Sequence, residues 1–184
     1  MAQDKDFWTP LDRASSRGDV KIARVLLEHG VDAAAKDEDD CTPLHVASVY
    51  GYTEIARVLL EHSADPNAQD LFGWTPLHRG SIECCLGVVR VLLEHGADAK
   101  AQDMLDRAPL HRASEEGHLE LACVFLEHGA DVSVKVPDKD NNKSPLQGSS
   151  ISTWGGYECP RRQMSDLFIS IVANGAYRAC EVAA

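Results

Sequence analysis

The sequence is short of positive charge, of aromatic side chains and of long apolar runs, and each shortage removes a class of function. Lys and Arg number 18 against 29 Asp and Glu, a formal net charge of -11 with His neutral. A surface of that sign repels phosphate backbones and anionic headgroups, so nucleic acid and membranes are excluded as partners. No run of about eighteen apolar residues is present to span a bilayer, and the opening MAQDKDFWTPL lacks the basic and apolar segments of a secretory signal. The 6 Cys include no C-x-x-C pair, which favours reduced thiols in the cytoplasm or nucleus over a disulfide framework. G-x-S-x-G, H-E-x-x-H, Walker A and G-x-G-x-x-G strings are all missing, so the chain is expected to be no enzyme and to need no cofactor. What is present, 44% apolar and 26% charged residues, is the composition of a foldable globular chain.

The main positive signal is self-similarity. Thr42-Pro43-Leu44-His45 recurs as Thr75-Pro76-Leu77-His78 and, altered, as Ala108-Pro109-Leu110-His111, at steps of 33 residues. Thr9-Pro10-Leu11-Asp12 precedes them by the same step, and Ser144-Pro145-Leu146-Gln147 follows after 36. A second string, Leu26-Leu27-Glu28-His29-Gly30, returns in the same phase at 59–63, 92–96 and 125–129. Two strings in one phase define a tandem repeat.

Each unit reads as helix, helix, loop. Thr before Pro supplies an N-cap and an N1 residue, and the His three residues after the Thr can reach back as a capping-box acid does. The first helix should end near Gly18, Gly51, Cys84 or Gly117. The second carries aliphatics at helical spacing (Ile22, Val25, Leu26; Ile55, Val58, Leu59; Val88, Val91, Leu92; Leu121, Val124, Phe125) and stops at Gly30, Gly96 or Gly129. The Asp- and Asn-rich remainder suits a turn. A unit of this size buries too few aliphatics to offset the ordering of its backbone, so the units must stack on one another.

T-P-L-H, the paired helices ending in L-L-E-H-G-A-D and the 33-residue length together resemble the ankyrin repeats. The resemblance covers about residues 4–184 and implies an all-α solenoid of stacked antiparallel helix pairs with short hairpin-like fingers. One domain over 1–184 is expected, with units at about 4–36, 37–69, 70–102, 103–138 and 139–184. The fifth departs most, with three extra residues near 136–139, ten more around 153–163, and a second helix at about 164–174. Asp12 replaces His in unit one. Phe7 and Asp106 stand where a finger Gly is expected, and Ala108 removes a cap hydroxyl at a cost of about 0.5 to 2 kcal/mol.

Eight His invite a metal reading, but seven of them fall at two repeat positions (29, 62, 95 and 128; 45, 78 and 111). One repeat, roughly 10 Å, separates equivalents, too far for a shared zinc ion. Capping is the expected role of one set and exposed helix C-termini that of the other; no metal is expected. Cys84 and Cys85 are adjacent at a helix-to-helix turn, either as a packed thiol pair or as a redox-sensitive site in a regulatory subunit. Asn67, after Leu60 and Asp65, fits the family's pattern for asparaginyl hydroxylation. Arg161 and Arg162, beside Trp154 and Tyr157 in the insertion, form a basic pair in either a partner loop or a tolerated insertion.

Positions that vary while pointing outward are free for recognition. The resemblance puts the fingers and first helices on one concave side, where the middle units carry Tyr50, Leu71, Phe72, Trp74, Ile82, Met104 and Leu105. Arg107 lies in the same set, and acidic residues flank it: Glu38 and Asp39 within 37–40, then Glu115 and Glu116. An apolar strip rimmed by charge commonly marks a protein contact. The expected function is a non-catalytic scaffold or adaptor, monomeric, binding a basic protein partner with an apolar anchor. Trp8 and Trp74 have a second reading, as local core under the neighbouring finger.

Overall fold

The computed structural model describes residues 8–131. The fifth unit, its insertion and helix, and Lys5, Asp6 and Phe7 lie outside the described residues. Eight helices follow in order among those described: α1 Pro10–Arg17, α2 Val20–Glu28, α3 Pro43–Tyr50, α4 Thr53–Glu61, α5 Pro76–Ile82, α6 Leu86–Glu94, α7 Pro109–Glu116 and α8 Leu119–Glu127. No strand occurs among the described residues.

Each first helix begins at Pro in the N1 position, where its missing N–H leaves nothing unpaired. The cap ahead of it is reciprocal. The Thr42 N–H donates to His45 Nδ1 at 3.1 Å, and Thr75 repeats this with His78 at 3.1 Å. In unit one the carboxylate of Asp12 takes over, accepting from the Thr9 N–H at 2.8 Å and the Thr9 hydroxyl at 2.7 Å. Asp12 thus does the capping work of the His that stands there in the other units. Ala108 keeps only the backbone half of the motif, its N–H reaching His111 Nδ1 at 2.9 Å.

First and second helices are joined by a residue in the left-handed region: Gly18, Gly51 and Gly117, with φ between 72° and 80°, and Cys84 with φ 55°. Cys84 pays a steric penalty that the glycines avoid. At the end of each second helix the His ring folds back. Nδ1 of His29, His62, His95 and His128 lies 2.8–2.9 Å from the carbonyl four residues earlier, which gives a terminal acceptor a donor.

The helix pairs form two layers, α1, α3, α5 and α7 on one side and α2, α4, α6 and α8 on the other. Between them runs a single apolar core in which Leu11, Leu44, Leu77 and Leu110 are fully buried at one repeat position, and Ile55, Val88 and Leu121 at another. Buried Ser48, Ser81 and Ser114 donate to the carbonyl four residues back, at 2.6–2.7 Å, so the first helices carry hydroxyls at no hydrogen-bonding cost.

Candidate protein-binding face

The fingers are built on buried carboxylates. Oδ1 of Asp70 accepts the N–H groups of Phe72 at 2.8 Å and Trp74 at 2.9 Å, closing the loop over which Leu71 and Phe72 stand. Asp103 repeats the arrangement with Leu105 and Arg107, and Asp37, half-buried, with Asp39 and Cys41. The loops are pinned again by Asp70 N–H to Trp74 O at 3.0 Å and Asp103 N–H to Arg107 O at 2.9 Å. Neighbouring fingers join through Leu71 N–H to Asp39 O at 3.0 Å and Met104 N–H to Phe72 O at 3.1 Å. The three tips therefore form one continuous surface.

Tyr50, Leu71, Phe72, Met104 and Leu105 are each more than half exposed, Met104 at 73%. Ile82, Trp74 and Arg107 are half-buried, and Glu38, Asp39, Glu115 and Glu116 exposed. Tyr50 stacks on Tyr52 with ring centroids 6.1 Å apart, and Phe72 lies tilted against Trp74 at 6.2 Å. Phe72 and Trp74 differ in kind. The Trp74 ring sits between two guanidinium groups, Arg79 at 4.6 Å from its centroid and Arg112 at 4.5 Å, and its indole N–H donates to Asp103 Oδ2 at 3.2 Å. It is a joint between repeats, with only part of its ring left for contact. Arg13 lies over Trp8 in the same fashion at 4.7 Å.

Charges beneath the tips are matched. Arg79 pairs with Asp70 at 2.6 Å, and Asp103 receives Arg112 at 2.8 Å and Arg107 at 3.3 Å. Burial pushes the Asp103 carboxyl up, but the N–H groups of Arg107 and Leu105 and the two guanidinium charges outweigh it, and the net shift is down. Glu115 takes Arg112 at 3.5 Å and Arg107 at 3.8 Å, so part of the acidic rim is already neutralised. Arg79, Arg112, Asp70 and Asp103 were not among the residues read from the sequence. A signal was available: Asp37, Asp70 and Asp103 keep the step of 33, as do Arg79 and Arg112.

The capping His residues also bridge repeats. His45 Nε2 reaches Trp74 O at 3.0 Å and His78 Nε2 reaches Arg107 O at 2.8 Å. Since Nδ1 accepts from a backbone N–H, Nε2 carries the proton and the ring is neutral. Burial lowers both pKa values, that of His78 to about 4.

The thiols are poorly activated. Burial, with Asp37 second, raises Cys41 to about 11 despite Arg79 nearby; burial also raises Cys84 and Cys85, with Glu120 and Glu83 adding to it respectively. Cys41, Cys84, Cys85 and Cys123 are free thiols. Among the described residues no group of three or more His, Cys, Asp or Glu is placed to hold a metal ion, and no helix is long and apolar enough to cross a membrane. Asn67 is exposed, its side chain bridging to the next unit through Gly96 O at 3.2 Å and the Asp98 N–H at 2.7 Å.

The family model for ankyrin repeats matches the chain in three copies, over residues 1–70, 35–103 and 63–136. The chain belongs to the ankyrin repeat family. No curated protein matches it. Ankyrin repeats are in general protein–protein interaction modules and typically non-catalytic, and the helix pairs, fingers and stacked layers described above are those of an all-α ankyrin solenoid.

Proposed function

We propose that this ankyrin domain is a non-catalytic scaffold or adaptor, acting in the cytoplasm or nucleus, that holds a basic protein segment with an apolar anchor on the face formed by fingers and first helices. The observation that carries the reading is the exposure of Leu71, Phe72, Met104 and Leu105 on adjoining fingers. Turn tips are ordinarily polar, and aliphatic and aromatic side chains held in water by a rigid loop cost solvation that only a partner recovers. The finger before them carries Glu38 and Asp39, both exposed, so the preferred segment sets Lys or Arg beside its apolar residues. The raised thiol pKa values weigh against the alternative of a redox-responsive subunit, because the thiolate is the reactive form.

A peptide array presenting basic-apolar, acidic-apolar and purely basic segments tests this. Basic-apolar peptides should bind, and Phe72→Ala with Leu105→Ala should abolish binding while helical circular dichroism and the unfolding midpoint stay unchanged. Equal binding of acidic peptides, or binding unaffected by the double substitution, refutes the reading.

A further inference from the structure

At the N-terminal end of the stack, two second-helix positions that are sealed in the other units lie open. Ile55, Val88 and Leu121 occupy one of them and Val58, Val91 and Val124 the other, all between 0% and 3% exposed; Ile22 and Val25, their counterparts in α2, are 52% and 53% exposed. Helix α2 buries only Ala23 and Leu27, where α4 and α6 each bury five residues. An outer helix face that meets only water is ordinarily polar. This one keeps the aliphatics of an internal repeat.

The charges beside that pair are arranged in a self-complementary way. Lys21 and Glu28, both exposed, lie two helical turns apart on one flank of α2, with Val25 between them. Glu61 is the counterpart of Glu28 one unit on, and it faces Arg24 of the adjoining outer helix at 3.9 Å. That position meets a cation when another outer helix packs beside it.

We propose that this face pairs with the same face of a second copy of the chain. The two α2 helices lie antiparallel about a two-fold axis near Val25, with Ile22 and Val25 of each copy buried on the other and Lys21 of each beside Glu28 of its mate. An isologous contact of this kind needs one patch that complements itself, and the Lys21–Glu28 separation does so only in the antiparallel sense. The patch is small, so the dimer is weak and concentration-dependent. It replaces the monomer expected from the sequence and leaves the fingers free.

Sedimentation velocity on the full chain at rising concentration tests the proposal, with a reversible monomer–dimer equilibrium as the expected result. Ile22→Glu with Val25→Glu should raise the Kd by about tenfold or more without changing helical circular dichroism, since both side chains are already half in water. Lys21→Glu alone should weaken the dimer, and Lys21→Glu with Glu28→Lys should restore it. A chain that stays monomeric at the highest concentration, a dimer that survives the Ile22 and Val25 substitutions, or a charge swap that fails to restore it overturns the proposal. Phe72→Ala with Leu105→Ala should leave the dimer intact; its loss there would move the association to the finger face and refute the α2 pairing, whatever that variant does to peptide binding.

Discussion

The indole N–H of Trp74 donates to Asp103, a residue of the next repeat, at 3.2 Å, while Arg79 and Arg112 from two successive first helices cover the faces of the same ring. One aromatic side chain thus ties a finger to two helices and keeps two like charges apart. Trp74→Ala should lower stability by about 2 kcal/mol, through two lost cation–π contacts and the lost indole hydrogen bond to Asp103, whose carboxylate keeps Arg112 and Arg107. Trp74→Phe, which keeps a ring but not the N–H, should cost about half of that. Urea denaturation followed by circular dichroism measures both, and equal stability of all three chains would show the ring to be free.

Cys84 holds a φ of 55° where the other units place glycine. Cys84→Gly should therefore raise stability by about 1 kcal/mol, because the left-handed conformation strains a side chain and not a glycine. Ser63, with φ 67° at the end of α4, gives an independent case, and Ser63→Gly should act in the same direction. Unfolding midpoints below the parent would contradict the strain argument.

Ala108 lacks the hydroxyl by which Thr42 and Thr75 approach the ring nitrogen of their His at 2.9 and 3.0 Å. Ala108→Thr should restore that contact with His111 and raise the melting temperature, by an amount equivalent to about 1 kcal/mol. A lower or unchanged melting temperature in a thermal scan would refute the cap assignment.

His78 is buried neutral with its pKa lowered from 6.5 to about 4, and His45 is lowered for the same reason, burial. The unfolded chain binds more protons between these values than the folded one, so stability is full above about pH 6.5 and falls as the pH drops towards 4. For His78 alone the loss is on the order of 3 kcal/mol. Asp103, shifted down, adds its own loss only at lower pH, below its ordinary 3.8. Urea midpoints at intervals from pH 7.5 to about pH 4 measure the slope, and His78→Gln should flatten it.

The finger carrying Glu38 and Asp39 should also speed the encounter with basic peptides. Association rates measured by stopped flow should fall as salt is added, while dissociation rates change little. Rates indifferent to ionic strength would remove the acidic finger from recognition.

Much of this architecture is legible in the residues, because each unit states its own boundaries. Pro10, Pro43, Pro76 and Pro109 open the first helices, and Gly30, Gly96 and Gly129 close second helices in the left-handed conformation. Local rules suffice for such boundaries, since caps and stops act within one turn. The Trp74 joint is harder to read, because Arg112 and Asp103 reach it only after two repeats stack, and an aromatic in a loop gives no sign of which face is covered. The exposed edge of α2 is hidden for a similar reason. Ile22 and Val25 fit the same pattern as Ile55 and Val58, and they stand exposed because, among the described residues, no helix packs on that side of α2.

Because Asp70 and Asp103 hold the finger loops from below, through backbone N–H groups alone on the Oδ1 side, the shape of each tip does not depend on which side chains it displays. Leu71, Phe72, Met104 and Leu105 can be exchanged for others while the loop beneath keeps its form. The domain is thereby a rigid tray with replaceable lettering, and selectivity can drift, or be rewritten by grafting, without the fold being renegotiated each time.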